Sequence, residues 1–181
     1  MIITRQKYLD MLVAGQGNGL VKIVTGGRRC GKSFLLFQIF HQYLLQHGVD
    51  EGHLIEVSLD DRRNRKLCDP DALLDYLDSR IKSDGKTNFI FLDEIQEAPN
   101  GVTALKYFYE NASDYHIIAA GSLLGLELHR QASFPVGKVQ FMTLHPMSFL
   151  EFLDAVGEQA LAGFIAKHDW ENIRLFGPKL K

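Results

Sequence analysis

The stretch that decides the fold is Leu20–Ser33, which reads LVKIVTGGRRCGKS. Its first part is apolar and β-branched, which predicts a buried β-strand. Its second part, from Gly26 to Ser33, matches the pattern G-x-x-x-x-G-K-[ST] of a phosphate-binding loop. Glycines in such a loop allow successive backbone N–H groups to converge on phosphate oxygens. In this pattern Lys32 reaches the β- and γ-phosphates, and the Ser33 hydroxyl binds Mg²⁺.

The residues after the loop supply the context that the pattern requires. Apolar residues recur there at helical spacing, namely Leu36, Ile39, Phe40, Tyr43 and Leu44, and Gly48 then ends the helix. The positive N-terminus of this helix faces the bound anion. The sequence therefore predicts that the loop binds a nucleotide through Gly26, Gly27, Arg28, Arg29, Cys30, Gly31, Lys32, Ser33 and Phe34.

A second motif is the stretch 88–94, which reads NFIFLDE. Its apolar residues predict a central parallel strand buried on both faces. Successive strand residues point to opposite sides, so Asp93 and Glu94 have different tasks. Asp93 suits the Mg²⁺ shell, and Glu94 suits orienting the attacking water and accepting its proton. The alternative is a strand end that carries two solvated acids.

Three further apolar runs complete a predicted five-stranded sheet. They are HLIEVSL at 53–59, YHIIAA at 115–120 and VQFMTL at 139–144. Ser122 follows the fourth strand, at the edge where parallel α/β sheets bind ligands. Its hydroxyl is a third catalytic candidate beside Glu94 and Lys32, because it can hydrogen-bond the γ-phosphate or the water. Alternatively, Ser122 caps a helix that begins LLGLEL.

Helices are predicted before and between the strands. One carries Tyr8, Leu9 and Leu12 on one face, and another begins at Asp69-Pro70 and buries Leu73, Leu74, Leu77 and Ile81. A short helix carries Leu105, Phe108 and Tyr109, and a strongly apolar one begins within 146–153. The aromatic residues near the end are expected in the core or at an interface rather than around a cofactor, namely Phe149, Phe152, Phe164 and Trp170.

Two groups of residues allow more than one interpretation. The basic cluster 62–66 either contacts nucleic-acid phosphates or a neighbouring subunit, or is a solvated loop balanced by Asp60 and Asp61. The solvated loop is favoured, because no aromatic residues are interleaved with these charges. Arg5 or Tyr8 could stack on adenine, but a core-packed Tyr8 with a solvated Arg5 is at least as consistent with the sequence.

Composition excludes several classes of protein. The 181 residues are 46% hydrophobic and 23% charged, with a net charge of −2, so no overall charge attracts nucleic acid. No apolar run approaches the roughly 18 residues of a membrane span. The two cysteines and the scattered histidines show neither a disulfide framework nor zinc-site spacing. These features predict a protein of a reducing cytoplasm.

Together, these motifs resemble the AAA-type P-loop ATPases of bacteria and archaea that usually carry a second, C-terminal domain of unknown function. The matching segments are Arg5 with Tyr8, IVTGGRRCGKSFLL, EVSLDD, FIFLDEIQ, IIAAGSLLGLEL and FMTLHPMSFLEFL. The resemblance implies an α/β, three-layer P-loop sandwich with a central, mainly parallel five-stranded sheet of the ASCE/AAA type. It further implies ATP and Mg²⁺ as ligands, and it places the Asp93-Glu94 strand between the first and fourth strands.

The chain also departs from that family pattern. Gly27 and Cys30 replace the residues that are usual there, which leaves phosphate binding possible and makes Cys30 a target for thiol reagents. Lys138 stands where an arginine is common, so Arg130 is the other candidate for an arginine finger. We expect an ATPase core at 1–156 and an extension at 157–181 that starts a truncated lid or second domain. The helical lid is therefore expected to be absent or incomplete.

The sequence thus predicts an ATPase, with slow turnover in this form. The alternative is a nucleotide-dependent switch that binds ATP with little or no hydrolysis and signals to a partner. A small-molecule phosphotransferase is disfavoured, because no acceptor pocket is evident and the Asp93-Glu94 pair suits water activation. Expected partners are a second copy of the chain or a missing C-terminal domain, and the sequence leaves a role for nucleic acid open.

Overall fold

The computed structural model describes residues 2–98, 115–122 and 137–174. The chain divides into two compact units, one of residues 6–145 and one of residues 1–5 with 146–181. Three predicted features lie outside the described residues: the helix carrying Leu105, Phe108 and Tyr109, the helix that Ser122 would cap, and Arg130.

The larger unit alternates strands with helices. Its strands are β1 (Val21–Thr25), β2 (Leu54–Ser58), β3 (Asn88–Asp93), β4 (Tyr115–Gly121) and β5 (Val139–Thr143). Its helices are α1 (Gln6–Ala14), α2 (Lys32–Phe34), α3 (His41–Gln46) and α4 (Pro70–Arg80), with 3₁₀ turns at Glu51–His53, Arg62–Cys68 and Ile95–Glu97. A π-helical stretch, Leu35–Phe40, joins α2 to α3, so one helical segment runs from the phosphate loop toward Gly48.

The five strands pair in parallel in the order β2-β3-β4-β1-β5. This confirms the predicted parallel five-stranded sheet. The expected place of the Asp93-Glu94 strand was wrong, because β3 pairs with β2 and β4 rather than with β1. β4 lies between β1 and β3, and its small Ala119 and Ala120 are completely buried. Burial patterns predict that a strand is central but do not order the central strands.

Helices cover both faces of this sheet. One face, formed by side chains such as Ile23, Ile90 and Ile117, packs against α4 through Leu73 and Leu77. The opposite face packs against α1 and the helical segment after the loop, through Val24, Phe91, Ile118, Leu36, Phe40, Tyr8, Leu9 and Leu12. The strand residues therefore alternate between two cores, which gives the predicted three layers.

Local capping explains where α4 begins. The Asp69 side chain accepts a hydrogen bond from the Ala72 N–H at 3.0 Å, and Pro70 occupies the first turn. This confirms the predicted start, because the carboxylate satisfies a backbone donor that the helix leaves unpaired. The helix ends at Arg80, and Leu74 and Ile81 are only partly buried beside the core.

The smaller unit contains α5 (Phe149–Ala155), α6 (Gln159–Ala166) and α7 (Trp170–Ile173). Ser148 and Glu151 form a capping box at the start of α5. Glu151 also accepts hydrogen bonds from the Arg5 guanidinium at 3.0 and 3.1 Å, although 146 residues separate them. The interpretation of Arg5 as a solvated residue was therefore wrong, because its side chain is only 8% exposed.

The aromatic residues of this unit are mostly not in its core. Its buried cluster consists of Leu153, Leu161 and Ala162. Phe149, Phe152 and Trp170 are 56%, 46% and 64% exposed. Of the two expected positions, core or interface, the core is excluded for these three, because the short helices bury only one narrow stripe. The interface stays a prediction. In the part of the chain that the structure describes, no helix is both long and apolar enough to cross a membrane.

Two basic side chains are buried where the strands begin. Lys22 is 3% exposed, and its ammonium donates to the Asn18 side chain and the Leu20 carbonyl. His116 is 5% exposed and stands 5.3 Å from the Phe89 ring. Burial lowers the pKa of His116 to about 4, and the charge of Lys22 acts in the same direction. The imidazole is therefore neutral in the folded protein at pH 7.

We expect His116 to make the free energy of unfolding depend on pH. The unfolded chain binds the proton with a pKa of 6.5, so stability is full above that pH and falls as the pH drops toward 4. The loss amounts to about 3 kcal/mol at most. In urea denaturation, His116→Leu should show a smaller loss than the wild type between pH 7 and pH 4. Parallel curves for the two proteins would contradict this assignment.

Candidate functional site

The phosphate loop is held in place at its first glycine. Gly26 has φ of 149°, and a Cβ there would lie 2.2 Å from the Leu144 carbonyl oxygen and 3.0 Å from Cys30 Sγ. The Leu144 N–H donates to the Thr25 carbonyl at 2.8 Å. This bond continues the pairing of β1 with β5 by one residue and holds the Leu144 carbonyl close to Gly26. Only glycine fits this approach of two backbone segments.

The rest of the loop is open to a ligand. A Cβ on Gly27 would meet nothing within 4 Å, and Arg28 and Arg29 are exposed. Arg29 adopts a left-handed conformation with φ of 62°. The N–H groups of Gly27, Arg28 and Arg29 make no hydrogen bond with any described residue. Unpaired N–H groups in a turn of this kind are suited to bind an anion.

Lys32 occupies the interior of the loop. The residue is 4% exposed, and its Nζ donates to the carbonyls of Gly26 and Gly27 at 3.2 and 3.1 Å. Within the described ranges it forms no ion pair. A buried ammonium with two neutral acceptors gains a stronger hydrogen bond when a phosphate oxygen replaces one of them. The lysine therefore fits the role that the sequence predicts for it.

Asp93 ends β3 in a buried position. It is 2% exposed, and its Oδ1 makes no hydrogen bond with a described residue. Burial raises the pKa of this carboxyl, a hydrogen bond with the Ser33 side chain partly offsets that effect, and the charge of Glu94 adds to it. A buried carboxylate with an unpaired oxygen beside a hydroxyl fits a hard divalent cation.

Glu94 follows Asp93 in a left-handed conformation, with φ of 51° and ψ of 47°. Its Oε2 accepts a hydrogen bond from Gln96 Nε2 and lies 3.5 Å from Ser122 Oγ. Ser122 and Gln96 are also 3.5 Å apart, so three polar side chains meet at the ends of β3 and β4. The Oε1 atom of Glu94 makes no hydrogen bond to any residue in the described ranges.

The structure thus brings together most of the predicted site residues. Ser33 lies against Asp93, and Ser122 lies against Glu94, all at the carboxyl edge of the sheet. Gln96 is an addition that the sequence analysis missed. Its position two residues after a strand-end glutamate was visible in the FIFLDEIQ segment, but the turn that folds it back was not.

Other predicted residues lie elsewhere. Tyr8 is core-packed and accepts a hydrogen bond from the His145 N–H at 3.3 Å. This position agrees with the interpretation of Tyr8 as a core residue rather than one that stacks on adenine. In the basic cluster, Arg63 pairs with Asp61 at 2.6 Å while Asp60 accepts from Ser58 instead. Lys138 precedes β5 at the amino edge of the sheet, where its carbonyl accepts from the Val21 N–H. That edge is opposite to the phosphate loop.

Comparisons with known proteins agree with this fold. An uncharacterised protein of Haemophilus influenzae is 26% identical to this chain over 157 residues. The match covers 85% of this chain and 38% of that protein. The solved structure of Aeropyrum pernix Orc1 in complex with DNA superposes with a TM-score of 0.53 at 14% identity, over 92% of this chain and 56% of that one. The structure of Caenorhabditis elegans PCH-2 superposes with a TM-score of 0.53 at 13% identity, over 89% of this chain and 46% of that one.

The chain therefore spans less than two fifths of the Haemophilus relative and about half of each structural neighbour. At these identities the two structures show the fold alone. The family model described as "AAA domain" matches residues 18–153, which include the phosphate loop, both strand-end acids and all five strands. With most of its length matched and an α/β sheet of this topology, the chain belongs to the AAA domain family, and its fold is that of a P-loop ATPase.

Proposed function

We propose that this AAA domain binds ATP with Mg²⁺ and hydrolyses it to ADP and phosphate. The observation that carries the proposal is the grouping of complementary groups at one sheet edge. A buried lysine and unpaired N–H groups lie in the loop after β1, and two carboxylates with different surroundings follow β3. Phosphoryl transfer to water needs few protein groups beyond these.

The loop would bind the phosphates of ATP. The N–H groups of Gly27, Arg28 and Arg29 would donate to phosphate oxygens, and Phe34 would border the nucleotide from its exposed position. Lys32 would exchange a loop carbonyl for a β- or γ-phosphate oxygen. The same ammonium would then neutralise charge that develops on the transferred phosphoryl group.

Ser33 and Asp93 would hold Mg²⁺ together. Their contact and the unpaired Asp93 Oδ1 support this assignment, because a cation would offset the energetic cost of burying the charged carboxylate. When bound, Mg²⁺ would supply positive charge that neutralises the phosphate oxygens. Asp93 is thus assigned to the metal rather than to proton transfer, since its side chain is almost completely buried.

Glu94 would orient the attacking water and accept its proton. Its Oε2 is engaged by Gln96 and Ser122, while Oε1 makes no bond to a described residue, so one carboxylate oxygen remains for the water. The water oxygen forms the new bond to the γ-phosphorus as the bond to the ADP oxygen breaks, and its proton passes to Glu94. Ser122 would contact the γ-phosphate or the same water.

Several wider predictions stay predictions. They are the division into a core at 1–156 and an extension at 157–181, a cytoplasmic location, and a second copy or a C-terminal domain as partner. The Orc1 structure contains DNA, but a likeness of fold transfers no ligand to this chain. A switch with little turnover remains the alternative function, and the first experiment below separates it from an ATPase.

We expect wild-type protein to bind ATP in the presence of Mg²⁺ and to release phosphate. Glu94→Gln should keep its nucleotide affinity but lose about 10²- to 10⁴-fold in kcat, because the group that accepts the proton is gone. Lys32→Ala should weaken ATP binding by at least about tenfold, the loss of one charged hydrogen bond. Binding by calorimetry and phosphate release by a coupled assay measure both effects.

Exposed neighbours serve as matched controls for those variants. Glu97→Gln removes a carboxylate from an exposed position three residues after Glu94. Lys82→Ala removes an ammonium from an exposed position just after α4. Both variants should behave like the wild type. Tight ATP binding without phosphate release at any protein concentration would favour the switch. If the wild type bound no nucleotide, both functions would be wrong.

We expect Asp93→Asn to stabilise the ligand-free protein while removing its response to Mg²⁺. The folded state holds the carboxyl with a pKa raised above 3.8, so the charged form costs stability at neutral pH and nothing at low pH. The free energy of unfolding of the variant should therefore exceed that of the wild type by about 1 kcal/mol at pH 7.5 in EDTA, and by less at pH 4.

A matched variant tests whether this effect belongs to burial. Asp78→Asn changes an exposed acid on α4 and should leave both unfolding and the Mg²⁺ dependence of ATP binding unchanged. If Asp93→Asn retained Mg²⁺-enhanced nucleotide binding, Asp93 would not be a metal ligand.

A further inference from the structure

Resting on the proposed function, we infer that Gln96 is the positioning residue of Glu94. Its side-chain amide holds one oxygen of the Glu94 carboxylate and so aims the other at the water. The sequence predicted no catalytic role for Gln96. The turn that follows β3 brings its side chain into contact with Glu94.

The turn brings the two side chains together. Glu94 takes a left-handed conformation, which is uncommon for a residue with a Cβ, and the 3₁₀ turn Ile95–Glu97 follows it. The Glu97 N–H donates to the Glu94 carbonyl at 2.9 Å and closes the turn. Ile95 is fully buried and anchors this segment in the core below the sheet edge. The backbone therefore fixes where the Gln96 side chain begins.

The chemistry of the contact fixes which end of the amide faces Glu94. A carboxylate accepts hydrogen bonds and donates none, so the Nε2 of Gln96 must point toward it. This orientation leaves Gln96 Oε1 buried without a hydrogen-bond partner among the described residues. An unpaired buried carbonyl is energetically unfavourable. The contact with Glu94 must offset that cost for the side chain to stay in this orientation.

Ser122 cannot hold Glu94 as firmly. Its Oγ is 3.5 Å from Glu94 Oε2 and 3.5 Å from Gln96 Nε2, at the outer limit of hydrogen bonding. The closer of the two contacts to Glu94 Oε2 therefore comes from Gln96. Because both contacts use Oε2, the carboxylate plane is set and Oε1 is left for a water molecule. A glutamate without this support would sample other rotamers and lose its aim.

The test compares ATP hydrolysis by wild type, Gln96→Met and Gln140→Met. Methionine matches glutamine in length but has no amide donor. Gln140 is half-buried near the start of β5 and accepts from Asn18 instead, so Gln140→Met is the matched control. We expect Gln96→Met to lose about 10- to 100-fold in kcat, with the KM for ATP and the dissociation constant of ADP unchanged. Gln140→Met should keep the wild-type kcat.

A double-mutant cycle identifies the path of the effect. If Gln96 acts only through Glu94, Gln96→Met should not slow the residual turnover of Glu94→Gln any further. A Gln96→Met variant with wild-type kcat would overturn the inference. So would a loss of kcat, nucleotide affinity and melting temperature together, or an additive loss in the double variant, because each indicates a general structural role.

A readout without catalysis separates this inference from the proposed function. The ¹H–¹⁵N side-chain amide resonance of Gln96, assigned by its absence in Gln96→Met, should move in Glu94→Ala while that of Gln140 stays in place. If wild-type protein hydrolyses no ATP, the proposed function fails, and the positioning role fails with it even when the resonance moves. If the protein hydrolyses ATP and the Gln96 resonance does not respond to Glu94→Ala, the positioning role alone is wrong.

Discussion

The placement of β4 between β1 and β3 is the constraint on which the site depends. Neighbouring strands lie about 4.8 Å apart, so one intervening strand separates the loop strand from the acid strand by about 10 Å. That gap is bridged from the loop side by Ser33, which contacts Asp93, and filled at its centre by Ser122 from the tip of β4.

The sequence predicted those features that depend on neighbours along the chain. Continuous apolar runs or hydrophobic alternation located all five strands, and Asp69 with Pro70 located the start of α4, because a cap and the residues it serves are adjacent. The positions of the phosphate loop, Asp93 and Glu94 could be predicted because each lies at or directly after the end of a buried strand.

Features that join distant segments escaped prediction. The order of the central strands depends on pairing between strands that are all apolar, and the Arg5–Glu151 ion pair joins residues 146 positions apart. Exposure of Phe149 and Trp170 depends on how little surface three short helices can bury. Gln96 escaped because its role depends on a left-handed glutamate, which is rare and carries no signature in residue type.

The close approach of Gly26 to Leu144 makes the loop mechanically asymmetric. On the β5 side Gly26 closely approaches the Leu144 carbonyl, and the Leu144 N–H is itself hydrogen-bonded to the Thr25 carbonyl, so the loop has little room to move in that direction. On the other side Gly27 meets nothing, and the following arginines are exposed. A change in the conformation of the loop therefore meets less steric resistance on the Gly27 side than on the side of the Leu144 carbonyl.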